Sequence, residues 1–285
     1  MADQPVIMVA GCGDIGSRMG LRLSHLGWAV YGLRRYVANL IPEILPVPAD
    51  LNQPGCPPGW PRGTLDYLVY CAAPGDRSAM AYQQAYVDGP RRVLDWLATC
   101  HQQPRRILLV SSTGVYGQQA GEWVTEESPA QPGGFSGQCL LEAEQQVLAC
   151  AHPATVVRLA GIYGPGRHHL LAQARQGCRV EHLPVQYSNR IHADDAAGLL
   201  AFLLQADMQG QPLADCYLGV DDEPAPLHEV VSWLQQQMGV SATGHGPGRR
   251  AGNRRCSNAR ARALGWVPQY PGYRQGYATL LRPCP

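Results

Sequence analysis

The chain has no lysine. All 23 of its basic residues are arginine, so each fixed positive charge is a guanidinium. Net charge is scarce as well, at +1, which gives no electrostatic footprint for nucleic acid or for an anionic membrane surface. Arg249, Arg250, Arg254 and Arg255 form one small basic cluster, expected to be a solvated loop rather than a partner site. No apolar run reaches the length of a membrane span, and the opening MADQPVIMVAG has no cationic region of the kind that begins a signal peptide. The ten cysteines lack C-x-x-C pairs and sit in apolar segments such as Val69-Tyr70-Cys71-Ala72. Reduced thiols in a cytoplasmic protein are therefore expected. The nine histidines show no metal-ligand spacing, no G-x-S-x-G elbow is present, and there is no internal repeat.

What is present is alternation. With 285 residues, 45% of them hydrophobic, the chain can bury one large core or two lobes. Apolar runs at 6–10, 28–33, 45–47, 67–72, 106–111 and 155–159 alternate with helical patterns at 15–26 and 79–100 and from Leu140 onward. That is the pattern of an α/β protein with a doubly wound parallel sheet. In the helix at Leu140, the residues Leu140, Leu141, Val147 and Leu148 read as the buried face, with Glu142, Glu144 and Gln145 opposite. Beyond Gly164-Pro165-Gly166 the alternation weakens. Helices are expected at 194–204, 227–238 and 259–264, a strand at 216–220, and a glycine-rich loop at 241–252. The expected organisation is a Rossmann domain over 1–165 and a smaller C-terminal substrate lobe over 166–285, with the chain free to cross back.

The segment VIMVAGCGDIGSRMG sets Gly11, Gly13 and Gly16 in G-x-G-x-x-G, directly after a strand and opening a helix. The first glycine permits a tight turn, the second a close backbone approach to a pyrophosphate, and the third close helix–strand packing. Asp14 and Ile15 complete the helix start, whose amides and dipole favour an anion. The second strand ends in Tyr31-Gly32-Leu33-Arg34-Arg35, where an NAD site carries a carboxylate. A carboxylate would repel a 2′-phosphate and arginine can clasp it, so Arg34 and Arg35 favour NADP, with NAD as the alternative cofactor.

Several further segments resemble one family, the extended short-chain dehydrogenases/reductases of the epimerase/dehydratase type. Ser111-Ser112-Thr113-Gly114-Val115-Tyr116-Gly117 is similar to its fifth-strand motif. The run from Arg158 to Arg167 (RLAGIYGPGR) is similar to its sixth, and Asn189-Arg190-Ile191-His192-Ala193-Asp194-Asp195 resembles R-x-x-H-V-D-D. Cys71-Ala72-Ala73 and Asp50-Leu51 match loops that the family sets against the cofactor, and 257–266 (SNARARALGW) resembles its C-terminal ending. The resemblance implies a Rossmann fold, with Asp50, Leu51, Ala72 and Ala73 beside the nucleotide and Ser112 at the catalytic serine.

It also exposes a departure. The family's Tyr-x-x-x-Lys pair belongs in GFSGQCLLEAEQ, with the tyrosine slot at 134–136 and the lysine slot at 138–140, and neither residue is there. In the family the lysine holds the nicotinamide ribose and lowers the tyrosine's pKa for proton exchange. Gln138 replaces the hydrogen bond but not the charge. The position usually held by asparagine is Tyr86, with Asp88 nearby. Ser112 keeps the family's catalytic serine position, and candidates for a substitute acid or base are Tyr116, His168 and His169, followed by Tyr163, His192 and Asp88.

Two functions fit these residues. One is an NADP-dependent oxidoreductase or epimerase with unusual acid/base groups, acting on a small molecule such as a nucleotide-sugar, aldehyde or ketone. The other is a non-catalytic NADP-binding sensor or regulator. Neither requires nucleic acid, a membrane or a metal, and a homo-oligomer is compatible with both.

Overall fold

The computed structural model describes residues 4–244 and 252–281. It divides into two compact units, and the chain passes between them repeatedly. Unit 1 holds the described residues up to Val115, together with Ala130–Arg158 and Ala197–Tyr217. Unit 2 holds Tyr116–Pro129, Leu159–Ala196 and the described residues from Leu218 onward.

Elements are numbered in chain order. The seven-stranded sheet is made of β1 (Val6–Ala10), β2 (Ala29–Arg34), β3 (Leu45–Pro48), β4 (Tyr67–Tyr70), β5 (Arg106–Ser112), β7 (Ala154–Leu159) and β11 (Cys216–Gly219). Its order is β11-β7-β5-β4-β1-β2-β3, and β1 pairs in parallel with both β2 and β4. The strand order thus reverses at β1, where the chain goes one way to β2 and β3 and the other way to β4 and β5. Strands such as YLVY in β4 are buried throughout, as a sheet covered on both faces requires.

In unit 1 the sheet packs against α1 (Asp14–His25), α3 (Gly89–Thr99) and α4 (Phe135–Leu148), around Met8, Leu33, Leu68, Trp96, Ile107 and Val147. Between α2 (Ala79–Tyr82) and α3 the helix widens into a π-helical turn, Gln83–Asp88. The cause is a wedge. The Tyr70 hydroxyl donates to the Ala85 carbonyl, and a Cβ at Gly89 would collide with the same hydroxyl.

The helix carrying GFSGQCLLEAEQ corrects one expectation. Glu144 is 2% exposed, whereas Leu148 is 41% exposed. At 100° per residue Glu144 shares a face with Leu140 and Val147, so it enters the core rather than solvent. There it forms a forked ion pair with Arg158 of β7, Nη2–Oε2 2.7 Å and Nε–Oε1 3.1 Å, and accepts from Ser111 Oγ at 2.5 Å. Three elements of unit 1 are tied together by this buried carboxylate.

Unit 2 is built from α5 (His169–Arg175), α7 (Leu227–Met238) and α9 (Tyr273–Leu281), packed around Leu171, Val230, Leu234, Tyr273 and Tyr277. α6 (Ala193–Met208) runs from unit 2 into unit 1, and α8 (Ala259–Leu264) lies in unit 2. Short strand pairs complete it: β8 (Gly161–Tyr163) with β10 (Arg190–His192), β9 (Tyr187–Ser188) with β12 (Ala225–Pro226), and β6 (Glu122–Val124) with β13 (Arg254–Cys256). Runs of two or three residues carry no periodicity, so the sequence shows none of them.

Two further expectations change. Arg249 and Arg250 lie outside the described residues, but Arg254 and Arg255 form a strand rather than a solvated loop. Arg254 is buried and donates to the Tyr116 carbonyl at 2.8 Å, and Arg255 stacks on Tyr187 and Trp123. Cys56 and Cys100, expected as separate thiols, meet sulfur to sulfur. The segment after β3 lies against α3, with Trp60 edge-on to Trp96 and Arg92 donating to the Leu51 carbonyl, and this brings Cys56 to the end of that helix.

Candidate functional site

The glycine turn sits at the reversal point of the sheet, where a doubly wound fold places its ligands. Gly11 has φ +82°, and a Cβ there would overlap the backbone of Ala72, in the loop after β4. Gly16 packs α1 on β1 so closely that a Cβ would lie 2.8 Å from Val9 Cγ1. Gly13 is different. Its φ is −92°, and the nearest atom to an added Cβ is the Gly11 carbonyl oxygen at 3.9 Å. Internal packing therefore requires glycine at 11 and 16, while the space over Gly13 is open. Gly13 is also the N-cap of α1 and, having no side chain, makes no capping bond to the helix-start amides. These features fit a dinucleotide pyrophosphate.

Arg34 ends β2 half-buried, and Arg35 follows it exposed. Neither guanidinium has a hydrogen-bond or ion-pair partner among the described residues. Arg34 stands near the turn: burial raises the Cys12 thiol pKa, and a hydrogen bond with Ser17 and the Arg34 charge oppose that rise. Asp50 accepts the Asn52 amide at 3.0 Å, which shapes the turn containing Leu51. Ala72 and Ala73 follow β4, whose extension is held by Cys71 N–H to Ala10 O at 2.8 Å.

Ser112 ends β5 and accepts the Gly114 amide at 3.1 Å. The start of α4 lies against this turn, since a Cβ on Gly137 would stand 2.8 Å from the Gly114 carbonyl oxygen. Unit 1 thus brings Ser112 and the α4 start together. On that helix Gln138 is exposed, Cys139 half-buried and Leu140 buried. No cation occupies any register of the lysine slot. The neighbouring surface is aromatic: Phe135 is edge-on to Tyr82 at 5.4 Å, and Tyr82 contacts Tyr86 at 5.6 Å. Burial, reinforced by Tyr82 and Cys71, pushes Tyr86 up to about 12, so this phenol is no base at neutral pH. Sequence reasoning missed this cluster because its members are scattered over two helical segments.

Tyr116, His168 and His169 belong to unit 2. Tyr116 is buried and its hydroxyl donates to the Thr125 carbonyl at 2.8 Å, a bond it would have to break to meet a substrate. His168 and His169 are exposed, and His168 Nε2 accepts the Gly166 amide at 3.2 Å. Both histidines line a cavity of about 400 Å³ in unit 2, together with Tyr163 and Arg190. His192 is buried and its Nδ1 accepts the Asp194 amide. Asp88 ends the π-helical turn. Among the described residues no group of three or more His, Cys, Asp or Glu side chains could hold a metal, and no helix is long and apolar enough to cross a membrane.

Behind the same cavity residues lies Asp221, 2% exposed, whose amide donates to the Arg190 carbonyl. Burial pushes its carboxyl from the ordinary 3.8 up to about 8, against the pull of Arg190. A raised acid favours the folded state fully below its unfolded value, and that contribution is lost as pH rises through the folded value. Urea denaturation from pH 4 to pH 9 is expected to show stability falling over this window. Asp221→Asn should flatten the fall, and an unchanged pH slope in the variant would refute the assignment.

Fold and turn together define a doubly wound α/β protein with a Rossmann-type glycine turn. The chain belongs to the NAD dependent epimerase/dehydratase family, which it matches over residues 7–215. Within that family it is an atypical short-chain dehydrogenase/reductase, without the Tyr-x-x-x-Lys pair. It is 28% identical to Protein YeeZ of Escherichia coli strain K12 over 254 residues, covering 81% of this chain and 82% of that one. A structure from Methylobacillus flagellatus, provisionally called an NAD-dependent epimerase/dehydratase, is 35% identical with a TM-score of 0.80, covering 98% of each chain. MoeE5, solved with UDP-glucose and NAD, shares the fold at 22% identity, with a TM-score of 0.77 and 97% of each chain covered.

Proposed function

We propose that the chain binds NADP on unit 1 and is an oxidoreductase or epimerase-like enzyme that works without the tyrosine–lysine pair. The observation that carries this reading is the open space over Gly13 at the helix start, with two unpartnered guanidiniums at the end of β2. Gly11 to Gly16 would hold the pyrophosphate, Arg34 and Arg35 the 2′-phosphate, and Asp50, Leu51, Ala72 and Ala73 the adenosine side. Gln138 would offer the nicotinamide ribose a neutral hydrogen bond. A bound nicotinamide supplies or accepts hydride, and orientation is then the protein's task. For proton transfer His169 suits the work better than His168, whose Nε2 accepts the Gly166 amide, and better than Tyr116, whose hydroxyl is engaged. A nucleotide-sugar, aldehyde or ketone remains the substrate class, and the UDP-glucose held by MoeE5 supports the first.

Calorimetric titration tests the cofactor. NADPH is expected to bind more tightly than NADH, and Arg34→Ala/Arg35→Ala should weaken NADPH by about 1–3 kcal/mol, the worth of a charge-assisted pair. NADH binding should change little. An equal loss for both cofactors would assign the arginines to the fold instead. The second reading, a non-catalytic sensor, is favoured by the rebuilt α4 start, which carries no cation and no tyrosine. NADPH binding without oxidation against any aldehyde, ketone or nucleotide-sugar would support it, and turnover of one of these would reject it.

A further inference from the structure

The segment that follows β3 joins the end of β2 to the far end of α3. At its start the Ala49 amide donates to the Arg34 carbonyl at 3.2 Å, and Asp50 accepts the Asn52 amide at 3.0 Å. Arg92 of α3 donates to the Leu51 carbonyl. Asn52, Gln53, Pro54 and Gly55 are exposed, and Cys56 then meets Cys100, the C-cap of α3. The Cys100 amide donates to the Trp96 carbonyl at 2.9 Å, and Trp60 at the end of the segment lies edge-on to Trp96 at 6.0 Å.

Cys56 and Cys100 are 44 residues apart in sequence, so only the fold sets them in contact. Both residues are half-buried and thus open in part to solvent. An accessible thiol beside a second one is the arrangement in which oxidation of either sulfur is resolved by its neighbour. Their Cα atoms stand 7.1 Å apart, just beyond the roughly 4.4–6.8 Å that a disulfide spans, so closing the bond requires backbone to approach. α3 is fixed in the core through Val93, Trp96 and Leu97, which leaves the exposed segment as the part that shifts. Room for the shift exists. A cavity of about 150 Å³, with Asp50, Gln53, Cys56 and Trp96 in its lining, lies where the segment meets the helix.

We propose that Cys56 and Cys100 are a site of reversible thiol oxidation whose closure weakens the dinucleotide site. The assignment rests on reading unit 1 as the NADPH site, with Asp50 and Leu51 on the adenosine side. The oxidant is a low-molecular-weight disulfide, for which oxidised glutathione is the probe. One cysteine thiolate attacks it, forming a mixed disulfide and releasing the first glutathione. The other thiolate displaces the second glutathione and closes the Cys56–Cys100 bond. Two protein S–H bonds and one glutathione S–S bond are exchanged for one protein S–S bond and two glutathione S–H bonds, so two electrons pass to glutathione. Closure draws Cys56 toward α3, and with it the short run back to Asp50 and Leu51, out of register with Arg34.

The test uses the whole chain, reduced with dithiothreitol or oxidised with glutathione disulfide, and desalted before each measurement. Peptide mapping by mass spectrometry is expected to find the Cys56–Cys100 cross-link in the oxidised sample only. Calorimetry should show that sample binding NADPH about threefold or more weakly, the scale of one lost hydrogen bond, with dithiothreitol restoring the affinity. Cys56→Ser/Cys100→Ser should bind NADPH as reduced wild type does after either treatment, its fold checked by circular dichroism. Should it not fold, Cys56→Ser alone, at the exposed segment, takes its place. A glutathione adduct instead of the cross-link, unchanged or tighter NADPH binding after oxidation, or equal weakening in the variant would each overturn the proposal. Failure of reduced wild type to bind NADPH would instead defeat the cofactor reading. Hydrogen exchange over residues 49–60 would still judge the closure: a difference between reduced and oxidised wild type supports it, and identical exchange rejects it.

Discussion

Alanine at Gly13 is expected to weaken NADPH binding about ten- to a hundredfold while altering the stability of the free protein by less than about 1 kcal/mol. The backbone there has φ −92°, and an added Cβ meets nothing closer than 3.9 Å, so the folded chain accepts it. What it removes is the close approach of a pyrophosphate to the amides of the α1 start. Gly11→Ala should fail in the opposite way. Its φ of +82° and its overlap with the Ala72 backbone make that substitution a loss of stability first and of binding second. Parallel calorimetry and urea denaturation separate the two. If Gly13→Ala bound NADPH as wild type does, the turn would not be the phosphate site, whatever its sequence.

Removal of the Glu144 carboxylate is the largest stability effect expected. Glu144→Ala should cost about 3–5 kcal/mol, because it strands the buried Arg158 guanidinium and leaves Ser111 without its acceptor. A domain of this kind has only about 5–15 kcal/mol in all, so the variant should be near the edge of folding. The pair itself need not be strongly stabilising. Desolvation offsets much of its attraction, and Glu144→Leu combined with Arg158→Met should recover most of the loss. Urea denaturation of the single and double variants decides the matter, and a single-variant cost below about 1 kcal/mol would mean that the pair is not buried in solution. The consequence reaches the candidate site, because Glu144 anchors the helix whose first turn carries Gln138.

The sequence by itself determined the sheet-and-helix alternation, the glycine turn and the arginines at the end of β2. Each is written in neighbouring residues: a buried strand is a short apolar run, and the turn needs glycine at fixed offsets for steric reasons that hold before any tertiary contact forms. It also showed what is missing, since the loss of a lysine from a chain with none requires no coordinates. Tertiary structure alone decided the rest. Glu144 reads as a surface carboxylate until Arg158, on the strand after its helix, is found beneath it. Tyr116 reads as a free phenol until its hydroxyl is found donating to the Thr125 carbonyl. Cys56 and Cys100 are unremarkable until a loop and a helix end bring them together. Partners distant in sequence decide the worth of a polar side chain, and periodicity records only which face it lies on.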